Sequence, residues 1–221
     1  MASNEILSTE EIFEIIFPCA CRYMGSVSEN ADDEFKSKSF EIFHTVLSNE
    51  HFRYQTEYTD IDGFYRIFSP TADSSEDIKF YLKDCNRVVG IFVTLGLEID
   101  KVSKKLQHTS LSESVMFDAF ASAYLEYKTD ELEKSLNLGP HTFRFAPGYG
   151  DIPIEINKTV IDYYNLTNTI GIAKTSGSLM LPQKSMITFC GIGKTVSPRC
   201  DRCIRFNNCS LRKENIKCYN S

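Results

Sequence analysis

The sequence predicts an α+β fold, with a mixed or antiparallel sheet flanked by helices. Three observations carry this. Residues 112–136 form the longest run with helical spacing of apolar side chains. "RVVGIFVTLG" at 87–96 is β-branched and almost wholly apolar, as a buried strand requires. Strand-like and helix-like segments also mix without the strict alternation of a parallel βαβ sheet.

Each element has a local signal. Ser8, Thr9, Glu10 and Glu11 supply capping chemistry for a helix through Phe17, which Pro18 is expected to stop. Residues 31–48 place Phe35, Phe43, Val46 and Leu47 at roughly helical spacing. "FRYQTEY" (52–58) and "GFYRIF" (63–68), separated by "TDID", read as a β-hairpin. Ser74 or Ser75 can cap a helix over 76–83, and Glu98–Leu106 reads as another. In the long run, Val115, Phe117, Ala119, Phe120, Ala123, Leu125, Leu132 and Leu136 spread over a broad face. Its small residues Ala119, Ala121, Ser122 and Ala123 allow close approach of a neighbour. Gly139-Pro140 ends it. A helix over 154–165 and strands near 169–175 and 185–192 complete the order.

Length and composition set limits. The chain has 221 residues, 42% hydrophobic and 24% charged, enough to bury a core without disulfides. We expect one domain over 1–197 and a cysteine-rich tail over 198–221. The net charge of -6 does not suit nucleic acid as a partner. No apolar run reaches the length of a membrane span. The acidic start lacks the features of a signal peptide. A cytoplasmic setting is the resulting expectation, and there clustered cysteines point to metal or redox chemistry.

Two stretches carry candidate chemistry. "RFAPGYGDIP" runs from Arg144 to Pro153. Arg144 offers a planar fork suited to a carboxylate. Pro147 stiffens the backbone, and Gly148, lacking a Cβ, lets the main chain near Ala146 approach a ligand. Tyr149 adds a flat face and a hydroxyl. Taken alone, these residues better suit an arginine on a surface turn beside a core tyrosine. The tail holds Cys200, Cys203, Cys209 and Cys218, spaced C-x2-C-x5-C-x8-C. Six basic residues against Asp201 and Glu214 surround them and favour thiolates. An iron–sulfur cluster, structural zinc and free or redox-active thiols all fit this pattern. "GIGKT" at 191–195 lacks the first glycine of a phosphate loop and is set aside. Cys19, Cys21, Cys85 and Cys190 read as packing residues, and no pair of the four histidines has zinc-helix spacing.

Three stretches together resemble the activation domain of cobalamin-dependent methionine synthase. They are "RFAPGYGDIP"; "TSGSLMLPQKSMITFCGIG" (175–193), with Thr175, Met180, Pro182 and Ser185 at the family's spacing; and "VTLGLEIDK…FDAFASAYLE" (93–126). The likeness covers most of residues 75–193. It implies a mixed α/β fold that binds S-adenosylmethionine through Arg144, Ala146, Gly148, Tyr149 and Glu126. Ser122 stands where the family has an acidic residue, and a family tyrosine beyond the 185–192 strand has no counterpart. Glu126 alternatively reads as a solvated helix charge. The implied activity is reductive remethylation of the cobalamin of a separate corrinoid methionine synthase, a methyltransferase's activating component. Flavodoxin or ferredoxin would give the electron, relayed by a tail cluster. The competing readings are an iron–sulfur electron carrier for other corrinoid methyltransferases and a zinc-stapled, non-catalytic binding module.

Overall fold

The structure, a computed structural model, describes residues 7–175, 179–197, 200 and 206–209. The fold is α+β, as expected. The chain packs as two compact units. One takes the described residues of Met1–Arg53, Thr94–Ser135 and Leu181–Ser185; the other takes those of Tyr54–Val93, Leu136–Met180 and Met186–Ser221.

The first unit is helical. Its long helix α6 (Leu111–Ser135) receives α1 (Thr9–Tyr23), α2 (Asp33–Asn49) and α5 (Leu97–Thr109). Helix α6 buries residues around most of its girth, including Ala119, Ala121 and Ala123, the small side chains that admit neighbours closely. Val115, expected on the buried face, is exposed. The core is aromatic: Phe13 stacks on Phe120 at 5.7 Å, and Phe17 and Phe43 lie 6.4 and 6.1 Å from the same ring. Ser8 forms the anticipated capping box with Glu11, and the Asp32 carboxylate caps α2 at Phe35. Helix α1 does not stop at Pro18 but runs on to Tyr23. Proline inside a helix costs about 3 kcal/mol. Burial of Phe13, Ile16, Phe17, Ala20 and Cys21 on both sides of it outweighs that cost, since a buried Phe alone contributes about 1.5–3 kcal/mol.

The second unit holds a three-stranded sheet in the order β1 (Arg53–Asp60), β2 (Arg87–Thr94), β5 (Ser185–Ile192). It is antiparallel. His51 N–H reaches the Leu95 carbonyl while Arg87 lies over the Tyr58 ring; Asn86 N–H reaches Ile192 while Leu95 N–H reaches Lys184. Strand β2 is central and buried from Val88 to Thr94, as its composition predicts. The expected hairpin is not formed. Residues 61–68 make helix α3 (Ile61–Phe68), capped by the Asp60 carboxylate on Gly63 N–H, and β1 pairs with β2 instead. Phe64 and Phe68, one helical turn apart, both bury and pack at 4.8 Å. Helix α4 (Glu76–Leu82) is capped by Ser75 as anticipated. Helices α7 (Ile156–Tyr163) and α8 (Leu166–Thr169) follow. The strand expected at 169–175 shrinks to β3 (Ala173–Lys174), paired with β4 (Met180–Leu181). Phe64, Phe68, Tyr81, Phe92, Phe145 and Phe189 centre this unit's core.

Candidate functional site

The Arg144–Pro153 segment is held at both ends. Ahead of it, residues 141–145 lie antiparallel along the side of β5 that β2 does not use. Phe145 and Phe189 exchange backbone hydrogen bonds of 2.9 and 2.8 Å, and Thr142 N–H donates to the Gly191 carbonyl at 2.9 Å. Phe143 and Phe145 both meet Tyr81, at 4.9 and 5.4 Å, so they leave the chain on one side. Side chains of an extended segment alternate, and the half-buried Arg144 between them therefore leaves on the other. The cation is displayed by a residue pair that serves the core.

Beyond Arg144 the backbone folds on itself. Tyr149 N–H donates to Ala146, Gly148 N–H to Ile152, and Ile152 N–H to Tyr149, at 3.0, 2.8 and 2.9 Å. Gly148 has φ +88° and Gly150 +55°, a region that side chains disfavour. A Cβ on Gly148 would meet only Ile154, at an ordinary 3.6 Å, so the backbone angle and not crowding demands glycine. Tyr149 packs at 5.8 Å from Phe143. The far end is clasped by Asp151. Its carboxylate accepts from the Ser75 hydroxyl (2.5 Å) and from Glu76 and Asp77 N–H (2.8 and 3.1 Å), while Asp151 N–H donates to Asp77. The motif's own aspartate thus caps helix α4.

The predicted row on α6 is differently occupied. Lys184, largely buried, pairs with Asp118 at 2.7 Å and donates to the Ser122 hydroxyl at 2.8 Å. Ser122 in turn donates to the Asp118 carbonyl. A resident ammonium therefore sits against the Ser122 hydroxyl. Asp118 also lines a cleft of about 390 Å³ with Tyr23, Ser103, Gln107, Ser114 and Val115. Next to Lys184, Gln183 N–H donates to both oxygens of the buried Asp100 at 3.1 Å; burial nonetheless pushes that carboxyl up. Glu126 is half-buried, and its charge is felt on α1. Burial raises the Cys19 thiol and the Tyr23 hydroxyl, Glu126 adds to both shifts, and Arg22 opposes them.

Cys200 and Cys209 are half-buried; Cys203 and Cys218 lie outside the described residues. Among the described residues, no three His, Cys, Asp or Glu side chains gather as a metal site. Cys21 and Cys190 are fully buried, in keeping with a packing role. In the "GIGKT" stretch, Lys194 turns to Asp84 at 3.4 Å, and a Cβ on Gly191 would strike the Cys85 sulfur at 2.7 Å. Sequence reasoning missed Asp151 and Lys184. The Asp151 clasp joins positions 76 residues apart, beyond any local pattern. Lys184 carried a weak signal: a lysine between Gln183 and Ser185, directly ahead of the mostly apolar run Met186–Cys190.

The class that the described residues show is one of fold, a small antiparallel sheet with helices around it. No protein-family model and no curated protein matches the chain. Among solved structures it is similar to one described as the MetH reactivation domain bound to AdoHcy. The two share 12% identity at a TM-score of 0.51, over 96% of this chain and 85% of that one. At that identity the likeness is one of fold. No helix among the described residues is long and apolar enough to cross a membrane.

Proposed function

We propose that this chain reactivates the cobalamin of a separate methionine synthase, using S-adenosylmethionine and one low-potential electron. The observation that carries the reading is the Arg144–Tyr149 turn, rigid and cation-bearing, in a fold like that of a reactivation domain solved with AdoHcy. Arg144 receives the ligand's carboxylate as a bidentate fork. The main chain at Ala146 and Gly148 approaches the ligand closely, and Tyr149 offers its hydroxyl and ring. Transfer of the methyl from the sulfonium to the partner's reduced cobalt breaks a carbon–sulfur bond, forms a cobalt–carbon bond and moves no proton. The chain's task is therefore position and exclusion of water. Lys184 already faces the Ser122 hydroxyl with a positive charge, which disfavours a ligand ammonium there. Cys200, Cys203, Cys209 and Cys218 would hold an iron–sulfur cluster, which would supply one-electron chemistry toward a flavodoxin or ferredoxin donor.

Anaerobic calorimetry with AdoHcy and S-adenosylmethionine tests the ligand. The expected result is saturable binding, weakened about tenfold or more in Arg144→Ala. No binding by the unmodified protein at millimolar ligand overturns the reading. An absorption spectrum and metal analysis of the anaerobically purified protein separate the tail chemistries. A visible-absorbing chromophore with iron and sulfide supports the cluster, and stoichiometric zinc in a colourless protein replaces it with a staple.

A further inference from the structure

We infer that the cleft between α5 and α6 is a second ligand site, which takes a small neutral heteroaromatic ring with hydrogen-bonding edges, of the nucleobase kind. Its lining lies wholly in the first unit and shares no residue with the Arg144–Tyr149 turn. Two hydroxyls point to it. Ser103 on α5 and Ser114 on α6 are only 8% and 6% accessible, and both line the cleft. Neither side chain has a hydrogen-bond partner among the described residues. Other hydroxyls of the same two helices turn back on the carbonyl four residues earlier: Thr109, Ser122 and Thr129, at 3.2, 2.9 and 2.7 Å. The Ser39 hydroxyl also lacks a partner, but it is sealed inside the packing; those of Ser103 and Ser114 are not. Buried polar groups nearly always find a partner. Two that do not, brought to one cleft from two helices, are completed by what enters it.

The rest of the lining restricts the ligand. Gln107 stands one turn beyond Ser103 on α5 and adds a carboxamide, a donor beside an acceptor, which matches a ring edge of the same kind. Leu111 and Val115, one turn apart on α6, and Tyr23 at the end of α1 are exposed large apolar side chains on this cleft. A flat ring covers them and stacks on the tyrosine face. A polyol would meet the hydroxyls but leave these walls bare, and an aliphatic chain would do the reverse. Asp118 is the charged side chain of the lining, and it already pairs with Lys184 at 2.7 Å, so the cleft offers a ligand no uncompensated charge. The volume of about 390 Å³ suits a ligand of one or two rings.

Calorimetry and saturation-transfer NMR on the full chain test the site, with adenine, uracil and nicotinamide as probes and glucose as a non-aromatic comparison. At least one of the three rings is expected to bind saturably, and glucose is not. The double variant Ser103→Ala, Ser114→Ala should weaken ring binding about tenfold or more. Its melting temperature should be unchanged or higher, because the deleted hydroxyls have no protein partner. Val115→Trp, at an exposed position on the rim, should obstruct binding to a similar degree, and Arg144→Ala should leave it unchanged. Binding of none of the rings at about 5 mM overturns the proposal and leaves the cleft to water. So does ring binding that Arg144→Ala removes and the double variant spares, which would put the ring at the turn. Glucose binding as strong as that of the rings overturns the aromatic assignment.

Discussion

The turn around Arg144 and the polar row on α6 are built on opposite plans. In the turn, the ties that hold the backbone are spread over several residues besides Arg144. Phe145 anchors the ladder, Gly148 supplies the backbone angle and Asp151 clasps α4. On α6 the candidate groups are themselves engaged: Ser122 and Asp118 with Lys184, and Glu126 with the surroundings of Cys19 and Tyr23. Each substitution in the α6 row therefore changes the surroundings of its neighbours.

Substitutions can break this contrast. The largest effect is expected for Phe145→Ala, which empties a fully buried ring position and should destabilise by about 3–5 kcal/mol in urea unfolding. Asp151→Ala should follow at about 1–2 kcal/mol, the worth of a helix cap, with the loss of protection at Glu76 and Asp77 amides in hydrogen exchange. If instead Asp151→Ala leaves stability untouched but abolishes ligand binding, the division between scaffold and ligand groups is wrong. Lys184→Met should change stability by less than about 1 kcal/mol, because its partner Asp118 is more than half exposed. It should, however, sharpen binding of a cationic ligand if the α6 row takes part.

The smallest effect is a slope. Burial holds the Asp100 carboxyl above its unfolded value, so between the two values the folded chain binds more protons than the unfolded one. This group's contribution to stability should therefore fall as pH rises from the ordinary carboxylate range through the raised value, and stay level above it. Asp100→Asn should remove that part of the slope in acid-limb unfolding curves. An unchanged slope would mean that the Gln183 amide and the nearby lysines fully offset burial.

Much of this architecture was legible where one period dominates. The strand at 87–94, the strand at 185–192 and the long helix are each written over many residues. "GFYRIF" misled because six residues with aromatics at positions 64, 65 and 68 satisfy both a strand and a helix. The Asp60 cap, read as part of a hairpin turn, decides for the helix. Pro18 misled because burial on both sides overrode a local rule. The candidate turn was found from its glycine and proline chemistry. Asp151's clasp was not, since its partners come from a distant stretch of chain.

The division of the chain has a consequence for its architecture as a polymer. The backbone passes between the two units five times, at 53/54, 93/94, 135/136, 180/181 and 185/186. Neither unit is a continuous length of sequence. No single cut releases one intact, and the pair cannot have arisen by simple end-to-end joining of two ready-made modules.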